Sequence, residues 1–142
     1  MPASDMRVFV LPDTLHEEFN TEAHAAFPME CCGLIEGIAT PEGWRATALH
    51  GSKNIAADPA RSFLIDPQVH FDLLHRLRRT DRAIIGCYHS HPGGLGQPSE
   101  RDRTEAIDDG FVWLIAGEGE VNAYLFDACA RDFAPLKVCR SA

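Results

Sequence analysis

Two histidines, a serine and an aspartate follow one another in the second half of the chain in a pattern that can bind a metal. The histidines are His89 and His91, and after seven further residues Ser99 and Asp102 complete the pattern His-x-His, seven residues, Ser-x-x-Asp. Two imidazoles and one carboxylate with an open fourth position are typical of a catalytic zinc site, whereas structural zinc sites are closed by four protein ligands. We therefore predict that His89, His91 and Asp102 bind Zn²⁺.

The spacing of these residues has a geometric reason. Positions i and i+2 of a strand face the same side, so His89 and His91 can point at one ion if they lie at the end of a strand. The proline that follows them cannot donate to a sheet ladder, so we expect the strand to stop there. The glycines within residues 93–97 allow the chain to turn. A helix that begins at Ser99 would then return Asp102 to the histidines.

Each half of the pattern also has a purely structural interpretation. Histidines at strand ends are often only hydrogen-bonded or exposed, so a His-x-His pair alone is a weak signal. A serine at the N-cap with an acidic residue three positions later is a capping box. The second interpretation does not exclude the first, because Ser99 can cap a helix and still face the site. The combined spacing is more specific than either half.

An acidic residue also precedes a short apolar run near the start of the chain. The segment Pro-Met-Glu-Cys-Cys-Gly-Leu-Ile, residues 28–35, places Glu30 before that run. Together with His-Ser-His-Pro and Ser-x-x-Asp, it resembles the pattern of the JAMM (MPN-plus) metallopeptidase family. The resemblance covers roughly residues 7–126 of the chain, and the stretch 54–67 is similar to the compact bacterial branch.

The resemblance implies a fold and a mechanism. The implied fold is a single α/β domain over residues 1–142, with a mixed, mostly antiparallel sheet flanked by helices, as in JAMM/MPN and cytidine-deaminase-like architectures. Glu30 would be the general base, and the Ser99 hydroxyl would donate to the developing oxyanion. Zinc lowers the pKa of water from ~15.7 to about 7. Glu36, on the same segment, is expected to face solvent.

The substrate is implied by the same resemblance. Eukaryotic relatives cleave isopeptide bonds to ubiquitin with insertions for which this chain has no room. Compact bacterial relatives suit ubiquitin-like sulfur-carrier proteins, so we expect hydrolysis of an amide at a C-terminal Gly-Gly tail. Two alternatives stay open: a phage-tail or cell-wall peptidase, and a non-catalytic MPN-type scaffold. A zinc deaminase is disfavoured because its His-x-Glu and Pro-Cys-x-x-Cys signature is absent.

Composition limits the class of protein. The chain of 142 residues carries a net charge of −8, which disfavours a nucleic-acid partner. No apolar run of about 18 residues occurs, and residues 1–7 do not resemble a secretion signal.

Five cysteines without a Cys-x-x-Cys pair argue against a disulfide framework and fit a reducing cytoplasm. Cys31 or Cys32 as a nucleophile is a disfavoured alternative. Oligomeric state is not specified.

Local patterns predict alternating strands and helices around these motifs. Helices are expected to begin at Thr14, at Asp66 and at Ser99. The apolar stripe of the first includes Phe27, and that of the second includes Leu74. The predicted strands are Arg7–Leu11, Gly33–Ile38, Trp44–His50, Ser62–Ile65, Ala83–His89, Phe111–Ala116, Val121–Phe126 and an edge strand at Asp132–Val138.

Overall fold

Seven strands and three helices make up the part of the chain that the computed structural model describes, residues 6–142. The prediction about a secretion signal in residues 1–7 falls largely outside this range. The elements, in chain order, are β1 (Val8–Pro12), α1 (Asp13–Ala26), β2 (Cys32–Thr40), β3 (Gly43–Ser52), α2 (Pro67–Arg76), β4 (Ala83–Ser90), α3 (Glu100–Glu105), β5 (Val112–Gly117), β6 (Glu120–Asp127) and β7 (Asp132–Ser141).

The sheet closes into a barrel with the strand order β1-β3-β2-β4-β5-β6-β7. β1 pairs in parallel with both β3 and β7, so that Val8 lies opposite Gly43 on one side and Lys137 on the other. The prediction of a sheet merely flanked by helices is wrong in this respect, and β7 is not an edge strand. Pairing of the first strand with the last leaves no trace in local sequence patterns, which is why the closure was not predicted.

The helices begin close to the predicted positions. However, some of the apolar side chains that were predicted to be buried are exposed. Asp66 caps α2 by accepting the backbone N–H of Gln68 at 3.0 Å, and a proline occupies the first turn as expected. In α2 the side chain of Leu73 is buried whereas that of Leu74 is exposed. α1 ends at Ala26, so Phe27 lies beyond the helix and is exposed as well. Of the predicted strand at residues 62–65, only an isolated bridge at Ile65 is present.

Strand β4 carries His89 near its end, and His91 follows it directly. The side chains of β4 point alternately into two parts of the core. Tyr88 points toward α1, where its ring meets Phe19 edge-on at 4.9 Å between centroids. Cys87 lies on the opposite side, packed in the cluster that includes Trp113. His89 shares the side of Cys87 and is fully buried. The buried strand therefore fixes the direction in which the first histidine points.

Glu36 does not face solvent, and this prediction is wrong. Its side chain is buried and accepts hydrogen bonds from Thr47 Oγ1 at 2.8 Å, His50 Nε2 at 3.0 Å and Arg82 Nη1 at 3.3 Å. The register of β2 shifts at this residue in its pairings with both β3 and β4. A bulge interrupts the in–out alternation that the prediction assumed.

Two general expectations concern membranes and thiols. Within residues 6–142, none of the helices combines the length and the apolar character needed to cross a membrane.

The five cysteines are all free thiols, and Cys31, Cys32 and Cys87 are buried.

Candidate metal centre

The end of β4 and the first turn of α3 bring three potential ligand atoms into one small triangle. His89 Nε2 lies 2.9 Å from His91 Nε2, and Asp102 Oδ2 lies 3.3 Å from each of them. His89 and Asp102 are buried. The three residues that the sequence singled out as ligands therefore meet at one point, although 13 positions separate the first from the last.

The triangle has the size of one face of a zinc coordination tetrahedron. Zinc binds nitrogen and oxygen at about 2.0–2.2 Å, and tetrahedral geometry then places neighbouring ligand atoms about 3.4 Å apart. The observed separations of 2.9 to 3.3 Å are close to that value. A closed structural site needs a fourth protein ligand at the same distance, whereas three converging ligands suit a catalytic site with an open position. The donor set thus fits a zinc ion.

Electrostatics favour the metal-binding forms of His89 and Asp102, whereas the pKa of His91 is raised, because hydrogen bonds with Asp102 and with the Leu95 carbonyl outweigh the effect of its burial. Burial lowers the pKa of His89, so its ring is held neutral. Burial alone would raise the pKa of Asp102, but hydrogen bonds with both histidines and with the backbone N–H of Ser99 outweigh it and hold that pKa well below its usual range. A neutral imidazole and an ionised carboxylate are the forms that bind metals.

The rings of the two histidines are oriented by different neighbours. His91 donates its Nδ1–H to the carbonyl of Leu95 at 2.9 Å, so Nε2 is the ring nitrogen that faces the triangle. His89 is stacked on Phe63 at 4.2 Å between centroids and meets Trp113 edge-on at 5.5 Å. Its buried Nδ1 has no hydrogen-bond partner among residues 6–142. Aromatic packing therefore orients this ring; Phe63 lies in the stretch 54–67 that resembles the compact bacterial branch, whereas no sequence motif marks Trp113.

Glu30 lies beside the triangle, as the sequence pattern indicated. One carboxylate oxygen and one ring nitrogen each from His89 and His91 all lie within 4.8 Å of one another. Burial raises the pKa of Glu30 to about 7, and the charge of Asp102 adds to this effect while His91 opposes it. A carboxyl group with a pKa near neutrality can both accept and release a proton at physiological pH.

The backbone around Glu30 is held by Ser90 and by two residues of the stretch 54–67, to none of which the sequence analysis assigned a role. Asn54 donates from Nδ2 to the Glu30 carbonyl at 3.0 Å, and the Glu30 N–H donates to the Pro59 carbonyl at 2.8 Å. Ser90 accepts the N–H of Cys31 on its hydroxyl at 2.9 Å. Ser90 lies between the two histidines, so the only signal was its place within the motif. These contacts fix the position of Glu30 relative to the end of β4.

Ser99 forms the complete capping box that its structural interpretation predicted. Its Oγ accepts the N–H of Asp102 at 3.1 Å, and its own N–H donates to Asp102 Oδ2 at 2.9 Å. The side-chain hydroxyl uses a lone pair in the first contact, so its proton is still available to a further acceptor. Ser99 is exposed.

The glycine-rich loop of residues 93–97 is attached to the β5–β6 hairpin at two points. The Glu118 N–H donates to the Gly94 carbonyl at 2.8 Å. The Gly96 carbonyl accepts from Asn122 Nδ2 at 3.0 Å and from the Tyr124 hydroxyl at 2.9 Å. These bonds hold the segment that carries the Leu95 carbonyl, and hence the ring of His91.

The structure does not support Cys31 or Cys32 as a catalytic nucleophile. Burial raises the pKa of Cys31 to about 11 and that of Cys32 to about 12, so both thiols are neutral at physiological pH. A nucleophilic cysteine needs a lowered pKa to form a thiolate. The vicinal pair therefore contributes small apolar side chains to the core.

Comparisons with known proteins agree with the geometry. Residues 12–127 match the family described as prokaryotic homologs of the JAB domain. A desampylase of Haloferax volcanii is 33% identical over 98 residues, 68% of this chain and 69% of that protein. A probable TtuB-protein conjugate cleaving protease of Thermus thermophilus is 33% identical over 118 residues, 83% of this chain and 76% of that protein.

Two further likenesses are more distant. The tail tip assembly protein K of Escherichia phage N15 is 27% identical over 103 residues, which are 70% of this chain but only 38% of that protein. A solution structure of a protein from Desulfitobacterium hafniense superimposes with a TM-score of 0.82 at 22% identity, covering 94% of this chain and 92% of the other. At that level of identity the superposition concerns the fold alone.

Proposed function

The chain belongs to the prokaryotic JAB-domain family of JAMM-type proteins, and on this premise we propose that it is a zinc-dependent isopeptidase. Its substrate would be an amide bond at the C-terminal Gly-Gly tail of a ubiquitin-like carrier protein. The observation that carries the proposal is the convergence of His89, His91 and Asp102 on one point with the buried carboxylate of Glu30 beside it.

In this proposal the side chains divide into ligands and proton carriers. His89, His91 and Asp102 would hold the ion. The ion would supply Lewis acidity, which lowers the pKa of water from ~15.7 to about 7 and polarises a carbonyl. Glu30 would accept a proton from the attacking water and deliver it to the leaving amine. A pKa near 7 suits both halves of that task.

Ser99 would act on the oxygen of the scissile carbonyl. Its hydroxyl proton is free because the capping contact uses only a lone pair. A donor of this kind stabilises the charge that develops on the carbonyl oxygen during attack, and losing one such donor typically lowers the rate by about 10²–10³. The N-cap residue of helix α3 would therefore contribute the oxyanion donor, and its first turn would contribute a ligand.

Two features support a carrier-protein substrate. The Haloferax and Thermus relatives are named as a desampylase and as a protease that cleaves conjugates of TtuB with protein. An apolar groove begins at Phe63 and Trp113, which pack against His89, and continues to the exposed side chains of Phe71 and Ile107. An exposed apolar surface next to a reactive centre suits the folded body of a protein better than a short peptide.

The test is hydrolysis of defined conjugates followed by intact-mass spectrometry. The substrates are a ubiquitin-like sulfur carrier joined through its Gly-Gly tail to a lysine side chain, the same carrier with the tail changed to Gly-Ala, and the isolated tail peptide. We expect cleavage after the second glycine of the first substrate, slower cleavage of the other two, and loss of all cleavage with a chelator. Failure to cleave any diglycine conjugate by a zinc-loaded protein would contradict the proposal.

The two alternatives predict different results in the same experiment. A scaffold would bind the carrier without cleaving it, with or without zinc. A phage-tail or cell-wall peptidase, which the likeness to the phage N15 protein favours, would cleave peptidoglycan-derived peptides in a further arm and leave the conjugates intact. Because that likeness spans little of the phage protein, the isopeptidase is our conclusion.

A further inference from the structure

The turn between β6 and β7, residues 128–131, contains a strained arginine. Arg131 adopts a φ of +50°, in the left-handed region that residues with a side chain enter at a cost. A glycine would occupy this position without strain. A backbone strain of this kind persists only where surrounding contacts compensate for it.

The hydrogen bonds of the Arg131 side chain all go to the C-terminal end of helix α3, and its guanidinium also lies over the Phe126 ring at 5.5 Å from the centroid. Its Nη2 donates to the carbonyls of Arg103 at 2.8 Å, Thr104 at 3.2 Å and Ala106 at 2.9 Å. These carbonyls belong to the last turn and C-cap of the helix, where no further helical N–H is available to them. A cation at this end also interacts favourably with the helix dipole. Arg131 therefore caps the C-terminus of α3.

A second contact joins the same two segments. Arg103 donates from Nε to Asp132 Oδ1 at 3.0 Å and from Nη1 to the Pro98 carbonyl at 3.3 Å. The helix is thus attached to the start of β7 through Arg103, and to the β6–β7 turn through the carbonyls at its C-terminal end.

Helix α3 needs external support because it spans only residues 100–105. Helices this short are not stable by themselves in water, since few hydrogen bonds offset the cost of ordering the first turn. Yet Asp102, in its first turn, must place Oδ2 within 3.3 Å of both histidine nitrogens. A shift of the helix by one ångström would separate the carboxylate from the triangle.

We propose that Arg131 is a positioning residue for Asp102: by capping the C-terminal carbonyls of α3, it holds the helix where the carboxylate completes the metal site. The inference rests on the proposed zinc site. Because Arg131 touches none of the potential ligands, its hydrogen bonds to α3 should affect the affinity for the metal and should take no direct part in hydrolysis.

The test compares two substitutions that keep the same strained backbone. Arg131→Met retains the length of the side chain but has no donor, whereas Arg131→Lys retains a cationic donor. Arg140→Met is the control, because Arg140 is a β7 arginine whose carboxylate partner, Asp13 at 2.7 Å, is remote from α3. The measurements are the zinc dissociation constant by chelator competition, the melting temperature of the metal-free protein, and amide hydrogen exchange at Arg103 and Ala106.

We expect Arg131→Met to raise the zinc dissociation constant about 10- to 100-fold, the range typical of residues that orient ligands. Exchange at the amides of Arg103 and Ala106, which bond to Ser99 and Asp102 within α3, should accelerate in the metal-free protein. Arg131→Lys should retain most of the affinity, and Arg140→Met all of it.

A zinc affinity of Arg131→Met equal to that of the unsubstituted protein would overturn the inference. So would a loss of affinity that Arg131→Lys shares in full. If Arg131→Met fails to fold, Arg131→Gly removes both the donor and the strain, and the same two outcomes apply to it. Absence of zinc binding by the unsubstituted protein would instead contradict the proposed function, and the inference with it.

Discussion

The carboxylate of Asp102 accepts the backbone N–H of Ser99 at 2.9 Å through Oδ2, the same oxygen that faces both histidines. The capping box of α3 and the candidate metal centre therefore share one atom. The cap orients the carboxylate, and a cation bound at the triangle would in turn fix the first turn of the helix. The structural and functional interpretations of Ser-x-x-Asp are thus two descriptions of one arrangement.

Two substitutions of Ser99 separate its hydroxyl from its capping contact. Ser99→Ala should lower the free energy of unfolding by about 1 kcal/mol, and Ser99→Gly by only a few tenths, because glycine is tolerated at the N-cap. Both remove the hydroxyl, so both should lower turnover on the order of 10²–10³-fold with near-normal zinc content. If turnover were low in the alanine variant but normal in the glycine variant, it would depend on stability and not on the hydroxyl. Ser99 would then act only as a helix cap.

Glu30→Gln should retain zinc and lose hydrolysis. The amide keeps the size of the side chain but cannot accept the proton of the attacking water, a contribution of about 10²–10⁴ in rate. Glu36→Gln is the matched control, since it is a second buried glutamate of the same segment that contacts none of the site residues. Substantial turnover by zinc-loaded Glu30→Gln, measured by mass spectrometry of the products, would refute the assignment of the base.

Gly117→Ala should weaken metal binding through the loop of residues 93–97. A methyl group at Gly117 would clash with the backbone of Leu95 and Gly96, and the loop would have to shift. The Leu95 carbonyl would then lose its contact with His91 Nδ1. We expect the zinc dissociation constant to rise about 10- to 100-fold. Gly119→Ala, on the same hairpin with a φ of +77° and open space around it, should lower stability but not zinc affinity.

Glu36 should make the fold sensitive to acid. Burial alone would raise the pKa of Glu36, but hydrogen bonds from Thr47 and His50 and the charge of Arg82 outweigh it and lower the pKa below 4.5. A carboxyl group with a lowered pKa in the folded state stabilises the fold above its unfolded pKa, and this stabilisation disappears as the pH falls through the folded value. At neutral pH, Glu36→Gln should lower the free energy of unfolding by about 1.5–3 kcal/mol.

The comparison of denaturant unfolding at neutral pH and below pH 4.5 checks this expectation. The difference in stability between the unsubstituted protein and Glu36→Gln should shrink as the pH falls through that range. A difference that stays constant with pH would mean that the charge of Glu36 does not stabilise the fold.

The sequence predicted the parts of the site that depend on local geometry. The apolar run of β4 ends before Pro92, Asp66 and Pro67 begin α2, and Ser99 caps α3, as expected. A strand of known direction followed by a helix of known start is sufficient to bring His89 and Asp102 together. The family resemblance then supplied Glu30, which no spacing rule connects to the histidines.

What the sequence did not predict depends on contacts between distant elements. Closure of the barrel joins β1 to β7, and the burial of Glu36 depends on a bulge and on partners from β3 and from the loop before β4. The capping of α3 by Arg131 joins residues 25 to 28 positions apart. None of these contacts produces a periodicity or a motif, because each is set by where the chain returns in space.

The most direct test of the account is the metal content of the purified protein, measured by elemental analysis after growth with sufficient zinc. We expect one zinc ion per chain in the unsubstituted protein and in Glu30→Gln, and little or none in His89→Ala or Asp102→Ala, with the fold of each verified by circular dichroism. A folded protein without bound transition metal, or a His89→Ala variant that keeps its full complement of zinc, would contradict the account.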